Sequence, residues 1–382
     1  MASDPAGPLG PARVRVLPRI TGHDAVKAAA RDHGRYSSAH RGDADVRDYR
    51  QLPLECDPPE HTALRAALAP TFVRRTVDRE RGPVRADAER LLAPLRDGAA
   101  VEIVDAVALP LVVRTIARAL DIADDAPRLL AFGHSVWEDA AGRRDGTAFH
   151  AYLDDLLDRA ARGAAGRVFG AIATTPIAGS VPDRAAQMGI ARLLLAAGRD
   201  TVVDLLAGIA WRLVAAPALR PALHAAGPAG GTAERLDARS RFVEEILRLT
   251  GSNVMERIDR GPDALPVDVA PHVALDFPSA NHDPTAFPAP AEIRLDRPNA
   301  TAHVAFGLGA HACIGAPLAR VEARAFLDAL LALTPGGLVL DLMAGDDALV
   351  AGRHAVAGVP IPTGFRRLVV RAAPERTAPA PS

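Results

Sequence analysis

The chain has 382 residues, of which 49% are hydrophobic, and its formal net charge is −1. This balance gives no overall field favouring nucleic acid or an anionic membrane, and the apolar fraction is ample for a large interior. The only cysteines, Cys56 and Cys313, lie far apart, which argues against a disulfide scaffold or a multi-cysteine zinc site.

Helical patterns dominate the chain, because apolar residues recur every three or four positions. The predicted helices are Leu64–Leu68, Val84–Leu95, Leu109–Ala119, Ala148–Ala161, Arg184–Val214, Ala233–Leu249 and Pro317–Leu333. The longest, Arg184–Val214, would be about 45 Å long, enough to cross a whole domain.

After the Ala233–Leu249 helix the sequence contains short β-prone pieces. They lie at Val267–Val269, His272–Leu275, Gly337–Leu342 and Arg366–Val370. No internal repeat or linker divides the sequence. We therefore predict a mainly α fold with a minor β-sheet part, in a single large domain.

The two ends of the sequence differ in composition from the rest. Residues 1–12 and 374–382 are rich in Pro and Ala and are predicted to be disordered, which leaves one domain over 13–373. No stretch resembles a signal peptide, and no run reaches the roughly 18–20 apolar residues of a membrane span. The sequence predicts a cytoplasmic protein.

The first polar motif begins at Asp57 and leads into a helix. His61 and Arg65 are four residues apart and therefore share a helix face. Two adjacent donors facing one way suit an anionic group such as a carboxylate. The alternative is a solvated helix start with Asp57 as N-cap and Pro58 in the first turn, and both can hold together.

The centre of the longest predicted helix carries an acid beside an alcohol, Asp200 and Thr201, after the pair Ala197-Gly198. Glycine costs about 1 kcal/mol against alanine inside a helix, which suggests that the space is needed. The simpler reading is a threonine hydroxyl bonded to the carbonyl four residues earlier.

A second charged pair, Glu245 and Arg248, lies at i and i+3 on one helix face. Such a pair is usually exposed and contributes only about 0.2–1 kcal/mol.

The strongest signal is the stretch from Phe306 to Gly315, with glycines at 307, 309 and 315 around Cys313. The glycines allow a tight turn close to a flat ligand. A cysteine just before a helix meets unpaired N–H groups, which favour the metal-binding thiolate. One thiolate alone suits a single axial iron ligand better than a zinc cage.

This stretch resembles the haem-binding loop of the cytochromes P-450, Phe-Gly-x-Gly-x-His/Arg-x-Cys-x-Gly, at every specified position. The resemblance implies the cytochrome P-450 fold and a haem b whose iron is bound by Cys313. It also implies that Phe306 packs beside the thiolate, that His311 reaches a haem propionate, and that Gly307 and Gly315 shape the loop.

The other motifs resemble the same family in the right order between Asp57 and Glu322. The residues expected to bind the propionates are His61, Arg65 and, less closely matched, Arg257. A buried ion network expected to hold the cysteine loop in shape comprises Glu245, Arg248 and Arg297. The acid–alcohol pair expected to relay protons during dioxygen activation comprises Asp200 and Thr201.

The resemblance implies a monooxygenase that hydroxylates, epoxidises or otherwise oxidises a small organic molecule, with natural-product biosynthesis as the expected setting. By analogy the substrate pocket is lined by Leu193, Ala196, Ala197, Asn253 and Val254. The sequence contains no flavin or iron–sulfur motif, so electrons are expected from a ferredoxin and its NAD(P)H-dependent reductase. Neither nucleic acid nor a membrane is an expected partner.

A basic run offers a docking surface for an acidic electron donor. It comprises Arg74, Arg75, Arg79 and Arg81, and a solvated helix face is the alternative.

Three other functions remain open at this stage. The first is another P-450-type enzyme, either peroxide-driven, which the Asp200–Thr201 pair argues against, or catalysing oxidative coupling or ring formation. The second is a haem-binding sensor or carrier without turnover. The third is a cysteine hydrolase using Cys313 and His311, although no oriented triad is evident. Two departures from the family pattern, at Pro266–Leu275 and at His282, concern the local sheet and the pocket floor rather than the haem site.

Overall fold

The computed structural model describes residues 17–40, 49–133, 136, 146–226, 236–251, 253–261, 272–356 and 359–373. The helices in these residues are α1 (His23–Arg31), α2 (Glu60–Phe72), α3 (Arg74–Val77), α4 (Arg81–Leu92), α5 (Leu109–Ala119), α6 (Ala126–Leu130), α7 (Thr147–Ala161), α8 (Arg167–Thr174), α9 (Arg184–Ala196), α10 (Asp200–Ala215), α11 (Arg220–Ala225), α12 (Ala238–Thr250), α13 (Phe277–Asn281) and α14 (Ala316–Leu333).

Two small sheets accompany the helices. Their strands are β1 (Arg19–Ile20), β2 (Tyr36–Ser37), β3 (Val101–Glu102), β4 (Val254–Asp259), β5 (His272–Asp276), β6 (Leu338–Leu340), β7 (Leu349–Val356) and β8 (Val359–Ala372). The first sheet has the order β1-β5-β4-β2, and the second has the order β3-β8-β6 with β7 paired to β8. In the first sheet β4 and β5 are antiparallel, with Arg257 opposite Val273.

The core is built by α10, α12 and α14, which contact one another, and by α4, which packs against α14. Leu206, Ile246 and Phe326 are fully buried in this core. Burying a side chain of this kind stabilises the fold by about 1.5–3 kcal/mol. At Gly208 a Cβ atom would lie 3.0 Å from Thr250 Cγ2, so the glycine allows α10 and α12 to approach closely.

Most predicted elements are found, with shifted ends. The helix predicted from Ala233 begins at Ala238 in the described part, because the Asp237 carboxylate caps it by accepting from Ser240 N. The helix predicted over Val84–Leu95 ends at Leu92 and continues as a 3-10 turn. The predicted strand at Val267–Val269 and the ends 1–12 and 374–382 lie outside the described residues.

The prediction of one continuous helix over Arg184–Val214 is wrong. The helix is interrupted between α9 and α10 over residues 197–199. Gly198 favours the break because glycine is a poor helix former. Arg199, the residue before α10, is buried and donates a hydrogen bond to Leu129 O at 3.1 Å.

Within the described ranges, no helix by itself has the length and apolarity of a membrane span. The segments Arg184–Ala215 and Pro217–Ala225, taken together, are long and apolar enough, but the pair is bent by 91°.

Candidate haem site

The loop that carries Cys313 is shaped by hydrogen bonding and by glycine. Cys313 N donates to Phe306 O at 2.7 Å, which closes the loop just before α14. Gly309 has a φ of 68°, and a Cβ atom there would lie 2.6 Å from Ala30 O. Only glycine fits at this position. The glycine at 309 is therefore required both by the turn and by the close approach of the loop backbone to Ala30.

The side chain of Cys313 is exposed on one side and enclosed by protein on the others. Burial raises the pKa of its thiol, although backbone N–H groups of Gly315 and Ala316 and the charge of Arg65 act in the opposite direction. The N–H groups at the helix start therefore favour the thiolate, as expected, but burial has the larger effect on this pKa. Coordination by a metal ion would itself deprotonate the thiol.

Four nitrogen-bearing side chains form what we call the donor cluster: His61, Arg65, Arg257 and His311. The rings of His61 and His311 are 4.2 Å apart between centroids. Arg65 is close enough to Cys313 for the two groups to interact electrostatically. The structure thus brings together side chains from α2, β4 and the cysteine loop that are separated by up to 250 positions in the sequence.

Two nitrogens of the donor cluster have no acceptor among the residues that the structure describes. Burial, with repulsion from Arg257 and His61, lowers the pKa of His311 to about 3, and burial lowers the pKa of Arg257 to about 10. His61 Nδ1 and His311 Nε2 are buried and have no hydrogen-bond partner within the described part of the chain. Buried polar groups are normally satisfied, so this arrangement fits an anionic ligand such as a pair of carboxylates.

Asp57, the nearest acid in the motif before α2, is already engaged. Its carboxylate accepts from Ser37 Oγ and from Ser38 N at 2.8 Å. It does not cap α2, which begins at Glu60 and has no side-chain cap, so the N-cap reading of Asp57 is wrong. Instead, the Asp57 carboxylate is bound by Ser37 at the end of β2 and by Ser38 directly after it.

Behind the cysteine loop, Glu245 is held by two arginines. Arg248 donates to both carboxylate oxygens of Glu245 at 3.0 Å, and Arg297 Nε donates to Oε1 at 2.9 Å. All three side chains are buried. Arg248 also donates to Asn281 O and Pro290 O, so the network fastens an irregular segment onto α12.

A second network, not predicted from the sequence, surrounds the neighbouring acid Glu244. Arg320 donates to it through two nitrogens at 2.7 and 2.9 Å, and His303 Nε2 lies 2.9 Å from Oε2. Burial opposes ionisation of Glu244, but these hydrogen bonds outweigh it and lower its pKa to about 2. Arg320 also lies over the ring of Phe306, 4.6 Å from its centroid. The adjacent acid pair 244–245 was the one available signal, since nothing in the sequence links His303 to Arg320.

At the break between α9 and α10, Thr201 Oγ1 donates to Ala197 O at 3.0 Å. This is the bond expected from the simpler reading, and it lies at the point where the backbone ladder of the helix is interrupted. Thr201 is exposed, and Asp200 Oδ1 lies 3.9 Å from Nε of buried Arg199. The pair is therefore accessible, and its role in proton transfer stays a prediction.

The expected pocket residues lie at two places in the chain. Leu193 and Ala196 are at the end of α9 and Ala197 directly follows it, whereas Asn253 precedes β4 and Val254 is the first residue of β4. Asn253, Val254 and Ala197 are exposed and the other two are half-buried. That the two groups line one pocket stays a prediction.

A groove of about 580 Å³ runs along α14, the helix that follows Cys313. We call it the Arg320 groove. Its charged lining comprises the arginines Arg74, Arg81, Arg85, Arg320 and Arg324 and the acids Asp78, Glu244 and Asp328. Two members of the predicted basic run, Arg74 and Arg81, thus line it, whereas Arg75 and Arg79 are exposed outside its lining.

Comparisons with known proteins agree with this geometry. A family model described as Cytochrome P450 matches residues 270–333, which include the cysteine loop. The chain is 33% identical over 311 residues to the Cytochrome P450 monooxygenase PikC of Streptomyces venezuelae, covering 77% of this chain and 71% of that protein.

Solved structures share the fold. A carbohydrate active P450 aligns with a TM-score of 0.78 and 24% identity, over 93% of this chain and 92% of the other. A mutant of P450 EryK in complex with erythromycin B aligns with a TM-score of 0.73 and 25% identity, over 94% and 92% of the two chains. The mainly α fold predicted from the sequence is therefore confirmed.

Proposed function

The chain belongs to the cytochrome P450 family of monooxygenases, and on that premise we propose that it binds haem b through Cys313 and oxidises a small organic molecule of natural-product biosynthesis. The observation that carries the proposal is the donor cluster beside Cys313. A haem has one iron for the thiolate and two propionates for the unsatisfied nitrogens of His61 and His311. The residues present therefore fit this group.

When bound, the haem supplies the activation of dioxygen and the transfer of one oxygen atom to the substrate. Cys313 would bind its iron, and the donor cluster would hold its propionates. The Glu245 and Glu244 networks keep the loop and its neighbouring segments in place. Reconstitution of the haem-free chain should give one haem per chain.

At the helix break, we assign the proton transfers to Thr201 and Asp200. The hydroxyl of Thr201 holds a proton at Oγ1, and the carboxylate of Asp200 replaces it from solvent. Two features support this assignment: Asp200 is half-exposed, and the Thr201 hydroxyl lies where the regular helix is interrupted.

The proposed substrate class draws on the similar proteins. EryK was solved with erythromycin B, and the pocket residues named above are mostly small or aliphatic. We propose a bulky, mainly apolar natural product whose polar groups are few, one of which Asn253 would orient. A panel of macrolides, steroids and cyclic peptides can be screened by the change in haem absorbance on binding, with short fatty acids as controls.

The reaction is tested with isotopically labelled dioxygen, NADPH, a ferredoxin and its reductase, using the compounds that bind. We expect one labelled oxygen atom in the product. A product that contains no oxygen atom from dioxygen would contradict oxygen insertion and would favour coupling or ring closure. Binding of haem without turnover of any compound that binds would favour the carrier alternative.

We propose that the electron donor is a ferredoxin that docks on the Arg320 groove. We also propose that the protein works in the cytoplasm, where the NAD(P)H that reduces the ferredoxin is available. The groove joins a surface rich in arginine to Phe306 in the cysteine loop through Arg320. Arg74→Ala should raise the ferredoxin concentration needed for half-maximal reduction, most strongly at low salt. Arg79→Ala, in the same basic run but outside the groove, is the matched control. Equal effects of the two changes would contradict docking in the groove.

A further inference from the structure

Three side chains at the first sheet lie close together: Glu256 on β4, His272 on β5 and His40 in the segment that follows β2. Each offers one ligand atom, and these atoms all lie within 4.8 Å of one another. All three residues are half-buried. We propose that they bind a divalent transition-metal ion of the Zn²⁺ type.

Strand register accounts for the pairing of Glu256 with His272. Glu256 lies opposite Ala274 on β5, and His272 lies opposite Ile258 on β4. The two residues are therefore diagonal neighbours on one face of the sheet, within reach of long side chains. His272 Nδ1 and the Glu256 carboxylate are in direct contact. Arg257, the next residue along β4, projects to the opposite face, where the donor cluster lies.

His40 completes the cluster from the segment that follows β2. Its Nε2 lies 2.9 Å from Glu256 O, so an N–H there donates to the backbone. Its Nδ1 is buried and makes no hydrogen bond to any residue that the structure describes. A metal-binding histidine almost always donates its other ring N–H in this way, because that bond fixes the tautomer and the ring orientation. The rings of His40 and His272 are 5.6 Å apart between centroids.

The donor set determines the class of ion. Two imidazoles and one carboxylate suit zinc and its neighbours, whereas calcium and magnesium prefer oxygen ligands throughout. Three protein ligands leave the fourth tetrahedral position to water or a small anion. A small inward movement of the side chains would bring the ligand atoms to metal-binding distances of about 2.0–2.2 Å.

The ion would fasten the segment after β2 to β4. Ser37, the last residue of β2, and Ser38, which follows it, donate hydrogen bonds to Asp57, and Asp57 precedes the helix with His61. The site thus lies between the two parts of the chain that carry His61 and Arg257. It is independent of the proposed oxidation chemistry and can be tested without a substrate.

The test is isothermal titration of the untagged, haem-loaded full chain with zinc chloride, after removal of metals with a chelator. We expect one zinc site per chain near neutral pH, and no saturable binding of magnesium or calcium. Binding should weaken in acid, because protons compete with the ion for the imidazole nitrogens. Absence of saturable zinc binding up to about 1 mM, equivalent to about −4 kcal/mol, would overturn the proposal.

Variants locate the ion. His272→Gln and His40→Gln should each weaken zinc binding at least tenfold, and Glu256→Gln should do so while keeping the backbone carbonyl that His40 contacts. His224→Gln, which changes an exposed histidine on α11, is the matched control and should bind zinc as the parent does. Zinc should also raise the thermal unfolding midpoint of the parent and of the His224 variant, but not that of the three ligand variants. Binding that survives His272→Gln would show that zinc binds elsewhere, and the three residues would then form only an ion pair with a histidine beside it.

Discussion

Two buried polar regions lie near the cysteine loop, and they differ in how their hydrogen bonds are satisfied. Around Glu245, the arginine nitrogens of Arg248 and Arg297 meet carboxylate or carbonyl oxygens at 2.6–3.4 Å. In the donor cluster, His61 and His311 face each other with nitrogens that make no hydrogen bond to the described residues.

The difference separates a scaffold from a binding site. A buried ionic network that is fully satisfied fixes geometry, and removing one member leaves a buried charge without compensation. Donors without acceptors destabilise the chain by itself, and a ligand with matching acceptors recovers that energy on binding. The first region is therefore expected to control folding and the second to control haem affinity.

The largest effect is expected when the scaffold is broken. Glu245→Ala leaves Arg248 and Arg297 buried without their shared carboxylate, which should cost about 3–5 kcal/mol. Little folded, haem-loaded protein should be recovered, as measured by haem content and by the free energy of unfolding. Asp296→Ala, which removes an exposed partner of Arg294, is the control and should change neither quantity appreciably. Normal haem content with selectively lost turnover in the Glu245 variant would contradict a structural role.

The Glu244 network should make stability depend on pH. The pKa of Glu244 is lowered to about 2 in the folded chain, whereas an unfolded glutamate titrates near 4.3. Its contribution is therefore complete above about pH 4.5 and is lost as the pH falls towards 2. Glu244→Gln should lower the free energy of unfolding at neutral pH and flatten its decline in that window. Parallel pH profiles for the two proteins would rule this contribution out.

Two buried histidines, one hydrogen-bonded and one not, allow the same contrast to be tested with matched substitutions. His23 Nε2 lies 3.0 Å from Ala302 O and is satisfied, whereas His61 Nδ1 is not. His23→Phe should lower the free energy of unfolding by about 1–3 kcal/mol and leave haem affinity unchanged. His61→Phe should leave the haem-free chain as stable or more stable, while weakening haem binding roughly tenfold or about 1.4 kcal/mol. The same response from both variants would remove the distinction between the two regions.

The smallest effect on the fold is expected at Thr201. Thr201→Ala loses one hydrogen bond to Ala197 O but should keep haem content and substrate affinity. Product formed per NAD(P)H oxidised should fall roughly tenfold or more, with electrons diverted to hydrogen peroxide. Added peroxide should partly restore product, and Thr201→Ser, which keeps a hydroxyl, should resemble the parent. An unchanged ratio in the alanine variant would make the hydroxyl a helix-packing feature.

Local patterns predicted much of this molecule. Periodic apolar residues identified α5 at its observed bounds and α14 within one residue, because both helices bury an apolar face. The glycine positions around Cys313 identified the loop, because Gly309 approaches Ala30 too closely for any other side chain.

Long-range contacts were less accessible from the sequence. The break before Asp200 depends on where the buried side chain of Arg199 can donate, which periodicity does not describe. The pairing of His303 with Glu244 joins residues 59 positions apart, and the raised pKa of the Cys313 thiol depends on packing around the sulfur. Local sequence propensity predicts neither the pairing of His303 with Glu244 nor the burial of the sulfur.

The central claim is that Cys313 binds the haem iron as a thiolate, and one absorption spectrum tests it most directly. The purified chain is reduced and exposed to carbon monoxide, in parallel with Cys313→His, which offers iron a neutral nitrogen in place of sulfur. The parent should give the band characteristic of thiolate-bound haem, and the variant should bind haem without it. Persistence of that band in Cys313→His would contradict the assignment.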